Sequence, residues 1–119
     1  MLANCESNRA DTLAELGRLG EARETYLVAI DLYTRLAARF PDETEFPWSI
    51  ALNQVGLARV LDRLRQTTEA LVAAETALKR YEVLKPRLHD DTDFNDNLQE
   101  ATDLLLRLRS ATSGSRKLK

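Results

Sequence analysis

One pattern constrains this chain more than any other. Stripes of apolar residues at alternating spacings of three and four are laid down twice, with nearly the same residues in the same order. Ala22, Tyr26, Ala29, Tyr33, Leu36 and Phe40 form the first stripe, and Ala70, Ala74, Ala77, Tyr81 and Leu84 form the second. Such spacing puts each set on one face of an α-helix, and no stretch shows the two-residue alternation of a half-buried strand. Shifted by 48 positions, Ala22 falls on Ala70, Ala29 on Ala77, Tyr33 on Tyr81 and Leu36 on Leu84, with Glu21 on Glu69 just before. The stretches in front fit better at 45, with Leu16 on Leu61 and Leu19 on Leu64, and Pro41 behind the first stripe also falls on Pro86 at 45. The second unit is therefore expected to carry three extra residues near Arg65 to Thr68 and to lose as many before Pro86.

Helix breakers divide the chain. Gly17 and Gly20, Pro41 and Pro47, Pro86 and Gly114 separate segments that predict helices over 3–17, 21–40, 47–64, 67–85 and 93–110. The third segment is apolar in nearly every direction, from Trp48 and Ile50 to Leu61 and Leu64, and is expected to be the central helix, between the first pair and the last. The fifth carries Phe94, Leu98, Ala101, Leu105 and Leu108 on one face and is expected to cap the stack. On the first, Leu2, Cys5, Leu13 and Leu16 oppose a polar line of Asn4, Asn8, Asp11 and Glu15. The small, polar and basic residues 111–119 predict a disordered tail.

A helix pair repeated at this period signals a helical solenoid. Gly17, Leu19, Ala22, Tyr26 and Ala29 resemble the turn and second helix of a tetratricopeptide (TPR) repeat, and Ala51-Leu52-Asn53-Gln54-Val55-Gly56 resembles the opening of the next first helix. In the second unit Asp62 and Arg63 stand in place of the turn glycine, and Ala74 replaces an aromatic. The long second helices, with the ending Leu36-Ala-Ala-Arg-Phe-Pro41-Asp, are similar to the ~45-residue repeats of bacterial signalling proteins and of kinesin light chain. The resemblance covers residues 3–110 and implies an all-α fold: two stacked antiparallel helix pairs plus a capping helix.

Composition narrows the function. The 119 residues give room for one domain, 44% hydrophobic and 30% charged. A net charge of -2 disfavours a nucleic-acid binder, which usually carries a basic excess. The single cysteine allows no internal disulfide, and no apolar run approaches the ~20 residues of a membrane span, so a cytoplasmic protein with no membrane partner is expected. Asp91-Thr-Asp93-Phe-Asn95-Asp96 resembles a calcium loop, but Asp96 stands where the turn needs glycine and Thr102 where the closing glutamate belongs. It reads better as a helix start capped by Asp93. His89 is the only histidine and has no neighbouring metal ligand, and Cys5 reads as a core thiol. No nucleophile–base pair or phosphate loop occurs, so neither enzyme nor cofactor is expected.

The resemblance implies a concave groove lined by the first helix of each pair, where a protein or peptide partner lies as an extended segment or a helix. The candidate partner-binding residues are Asn4, Asn8, Asp11, Glu15, Asn53, Arg59 and Arg63. In related repeats an Asn at a place like Asn53 bonds the partner's backbone, and an amide offers both donor and acceptor for that task. Ser7 and Asp11 stand where a carboxylate-binding TPR groove would want basic or amide residues, which argues against that sub-function. The competing reading is a self-assembly element forming a homo-oligomer, since roughly three units are usually needed to bury a continuous core.

Overall fold

The computed structural model describes residues 2–117, with side chains over 3–111, and among them it holds five α-helices and no strand. They are α1 (Leu2–Glu15), α2 (Leu19–Arg39), α3 (Glu45–Arg63), α4 (Thr67–Leu88) and α5 (Thr92–Lys117). Three residues join α1 to α2, α3 to α4 and α4 to α5, and links so short fold successive helices back as antiparallel neighbours. Each helix packs chiefly on the next in sequence, with α3 between α2 and α4. The extents, 48 × 32 × 22 Å, are those of an elongated stack. No helix among the described residues is long and apolar enough to cross a membrane.

The two helix pairs repeat at a single shift of 48, which corrects the mixed 45 and 48 alignment. Helix α1 ends at Glu15 and α3 at Arg63, while α2 begins at Leu19 and α4 at Thr67. The turns between them carry the same backbone bonds. Gly17 N–H donates to Ala14 O (3.1 Å) and Arg18 N–H to Leu13 O (2.9 Å); Arg65 N–H donates to Asp62 O (3.0 Å) and Gln66 N–H to Leu61 O (2.8 Å). The residue that closes such a turn is left-handed, and Gly17 (φ 78°) and Arg65 (φ 64°) both are. The counterpart of the turn glycine is therefore Arg65, not Asp62 or Arg63. No residues are inserted near Arg65 to Thr68.

The same register governs the core. Ala10 and Ala58, Ala22 and Ala70, and Ala29 and Ala77 are all completely buried. Small side chains at these places let neighbouring helices approach closely. Tyr33 and Tyr81 fill the space further along and are both buried. Tyr33 meets Phe46 at the start of α3, with ring centroids 6.5 Å apart. Tyr81 meets Phe94 edge-on at 5.7 Å, and Trp48 meets the same ring at 5.6 Å, which ties α5 to α3 and α4. On α5 the buried residues are Phe94, Ala101, Leu104, Leu105 and Leu108, with Leu98 half-buried; Asp96, Gln99 and Asp103 face solvent. Helix α5 thus closes one end of the stack with a charged outer surface.

The other end explains two departures from the expected core. Cys5 is exposed, and Leu16 is exposed as well. Their counterparts on α3, Asn53 and Leu64, are buried and half-buried because α1 and α2 lie against them. No described helix covers the matching side of α1, so its buried face is Ala3, Ala10 and Leu13. Phe40 also lies at the surface, as the residue that ends α2. On α3, Leu52 is exposed and Trp48 half-buried; the rest of its apolar residues are largely enclosed.

Helix ends differ from the expected ones for reasons of backbone chemistry. Helix α3 begins two residues before Pro47, because the first turn of a helix has no use for the N–H that proline lacks. Helix α4 runs past Pro86 to Leu88, since proline in the final turn forfeits one bond shortly before the helix stops. The cap of α5 is Asp91, whose Oδ1 accepts the Phe94 N–H at 3.0 Å; Asp93 stands in the first turn instead. The helical backbone of α5 continues to Lys117 rather than ending at 110, as a lone glycine at position 114 costs a helix only about 1 kcal/mol. Of the expected tail, the side chains of 112–117 and residues 118–119 lie outside the described residues.

Candidate functional site

A recess of about 540 Å³ opens between α1, α2 and α3, and all seven sequence-nominated residues line it. Asn4, Asn8, Asp11 and Glu15 form the wall on α1, and Asn53, Arg59 and Arg63 belong to α3. The spacing of the α1 residues puts them on one face of that helix, as i, i+4, i+7 and i+11. The hydroxyl ends of Tyr26 and Tyr33 reach the floor from α2.

The hydrogen bonds sort these seven residues into two groups. Five are already engaged within the fold. The Tyr26 hydroxyl donates to Asp11 Oδ1 at 2.5 Å, and the Tyr33 hydroxyl donates to Asn4 Oδ1. Asn53 is buried: its Oδ1 accepts from Ser7 Oγ at 2.9 Å and its Nδ2 donates to Ser49 O at 2.8 Å. Arg63 Nη1 donates to Ala14 O at 3.0 Å, tying α3 to one of the last carbonyls of α1. Arg59 reaches the other way and pairs with Glu100 on α5 at 3.6 Å. The side chains of Asn8 and Glu15 make no hydrogen bond or ion pair with a described residue, and both are exposed. Asn53, the residue that the resemblance marks for a partner's backbone, is thus an internal brace between α1 and α3.

The floor is electrostatically tuned. Burial pushes the Tyr26 phenol far above its ordinary range, and the bond to Asp11 and that carboxylate's charge push it further; Arg59 acts in the opposite direction and Glu15 adds a smaller upward push. The phenol therefore stays protonated and donates to Asp11 at any ordinary pH. Gly56 makes this placement possible, because a Cβ there would lie 2.6 Å from Tyr26 Cε1 and Cζ. A glycine inside an otherwise strong helix is the sequence signal for such a close approach. Ser7, Ser49, Gly56 and the two tyrosine hydroxyls also line the recess and were not nominated. An aromatic stripe announces packing, not which way its hydroxyls point.

Elsewhere, the Tyr81 hydroxyl is buried and has no hydrogen-bond partner among the described residues. Burial raises its pKa, Glu100 raises it further and Arg59 lowers it. His89 is exposed, with Nδ1 3.2 Å from Pro86 O and Nε2 3.4 Å from Asp90 Oδ1. No group of three or more His, Cys, Asp and Glu side chains suited to hold a metal occurs among the described residues. Compared with known protein families, with curated proteins and with solved structures, the chain finds no match.

Proposed function

We propose that this chain is a protein-interaction module of the TPR kind, and that the recess between α1, α2 and α3 receives an extended or helical segment of a partner protein. One observation carries the reading. Asn8 and Glu15 stand uncommitted at the edge of a groove whose other polar residues are held in place by the fold. A braced wall with free amide and carboxylate groups suits backbone recognition, because little side-chain freedom remains to be lost on binding. Asn4 lines the same groove, with its Oδ1 held by the Tyr33 hydroxyl. The repeated left-handed turns and the buried Ala–Tyr–Ala pattern support the TPR assignment. In this reading the chain catalyses nothing, works in the cytoplasm and serves as the repeat segment of a scaffold or signalling protein.

The test is capture of partners from an extract of the cells that make the protein, comparing the native chain with the double variant Asn8→Ala and Glu15→Ala. Both positions are exposed, so stability should stay within about 0.5 kcal/mol. Captured partners should fall at least tenfold. Retention of the same partners at the same level by a folded double variant would sink the groove assignment.

A further inference from the structure

A second recess lies on α4, apart from the first. The connection between α2 and α3 supplies one wall with Pro41, and Pro47 of the first turn of α3 stands beside it. The other wall is one face of α4, where Lys79, Arg80, Val83, Leu84 and Arg87 recur at helical spacing. The recess measures about 380 Å³, and no carboxylate lines it.

Its three cations are poorly served by the fold. Neither Lys79 nor Arg80 makes an ion pair with a described residue, and Arg80 Nε is buried with no hydrogen-bond partner. Among the described residues Arg87 donates only to the backbone oxygen of Asp42, at 3.3 Å. None of the nearby acids is in direct ion-pair contact with them. Asp42 and Glu43 on the connection and Glu45 at the start of α3 are exposed and form no ion pair with a described residue, and Glu75 and Glu82, which edge a neighbouring recess shared by Lys79, form none with it. Between the cations lies apolar surface: Val83 is 77% exposed on a helix where Leu84 beside it is buried. The exposed cations Lys79 and Arg87 present positive charge to a docked anion, and the Arg80 guanidinium, short of one hydrogen bond, adds its charge beside them.

We propose that this recess docks an acidic segment of a partner protein that carries an apolar anchor. Carboxylates of the segment meet Lys79, Arg80 and Arg87, and the anchor covers Val83 and the two prolines. The site is independent of the concave groove, and the two can be occupied together.

The probe is a fluorescein-labelled nonapeptide of alternating glutamate and leucine, followed by fluorescence anisotropy at low salt. A counterpart with lysine for glutamate serves as its control. Saturable binding of the acidic peptide is expected, with the lysine peptide at least tenfold weaker. Lys79→Gln and Arg87→Gln, both at exposed positions, should each weaken binding about threefold, and added salt should weaken it further. The Asn8→Ala, Glu15→Ala double variant should bind unchanged. No saturable binding up to about 1 mM peptide, affinity unmoved by both cation variants, or equal binding of the lysine peptide would each overturn the proposal. Loss of binding in the concave-groove variant would overturn it too, by moving the peptide to the other face.

Discussion

The two helix pairs share a backbone plan and differ in what they show to solvent. At a shift of 48 they agree in the helix ends that flank each turn, in the turn bonds and in the buried alanine pairs. Along the groove they part. Where α1 carries Asn4, Ser7 and Asp11, α3 carries Leu52, Val55 and Arg59. Where α2 has Tyr26, α4 has Ala74. Small and aromatic residues at the packing positions thus specify the stack, and the polar positions vary without disturbing it. Recognition chemistry can differ between repeats that fold alike.

The strongest test of that shared plan removes the large side chain from each pair. Tyr33→Ala and Tyr81→Ala should each cost ~3–5 kcal/mol, because both rings are buried in aromatic contacts. Urea denaturation of both variants checks this. A loss below about 1 kcal/mol for either would remove it from the core and break the equivalence.

A second test uses Gly56, where a helix of one pair depends on glycine for a close approach. Alanine is favoured over glycine in a helix by about 1 kcal/mol, so Gly56→Ala would stabilise if only propensity mattered. The Tyr26 ring occupies the space instead, and a loss of ~1–3 kcal/mol is expected. With Tyr26→Ala already in place, the same change should turn stabilising. A double-mutant cycle reads the reversal, and a stabilising Gly56→Ala in the native chain would deny the close approach.

Asn53 and Cys5 occupy one place in the two pairs, yet only Asn53 faces a neighbour. Asn53→Ala leaves Ser7 without its acceptor and should destabilise by ~1–3 kcal/mol. Cys5→Ala should stay within about 0.5 kcal/mol, since Cys5 is exposed. Equal effects would mean that the open end of α1 is covered in solution.

This contrast also marks how far the sequence could be read. Buried stripes are local, so the alanines and tyrosines of α2 and α4 are legible from spacing alone. So are the polar line on α1 and the interruptions of α3 by Asn53 and Arg59, and together they are the walls of the recess. Cys5 and Leu16 mislead because periodicity names an apolar face without saying whether a neighbour arrives to cover it. Arg65 is invisible as a turn residue, since a left-handed arginine carries no signal of its own. Asn53 is legible as a polar residue on a buried helix, but whether its bonds run inward or outward depends on Ser7, 46 residues away.

The tyrosine hydroxyls give a smaller effect of opposite sign in the two pairs. Tyr33→Phe removes a bond to Asn4 and should cost about 1 kcal/mol. Tyr81→Phe removes a buried hydroxyl that has no partner, because Leu52 stands where α1 has Asn4. It should leave stability unchanged or raise it by up to about 1 kcal/mol. The same hydroxyl gives a pH signature. Its raised pKa means that the folded state keeps a proton the unfolded state loses, so its share of stability is complete below about pH 10 and falls as pH rises beyond it. Tyr81→Phe should flatten the alkaline decline in melting temperature. An equal loss from both phenylalanine variants would show that Tyr81 has found a partner.

The smallest effect belongs to the turns, where the two pairs use one backbone shape with different residues. Gly17 adopts its left-handed conformation freely, whereas Arg65 holds φ 64° with a side chain that disfavours it. A left-handed residue other than glycine is strained by about 1–2 kcal/mol. Glycine at the same place gives up about 0.5–1 kcal/mol through the greater freedom of its unfolded chain. Arg65 is exposed and makes no side-chain bond with a described residue that the change would forfeit. Arg65→Gly should therefore stabilise by roughly 0.5 kcal/mol, and Gly17→Ala should destabilise by about 1 kcal/mol. Paired urea titrations with unchanged slopes decide the matter. Stabilisation by both changes, or by neither, would separate the two turns and end the claim that one backbone plan serves both pairs.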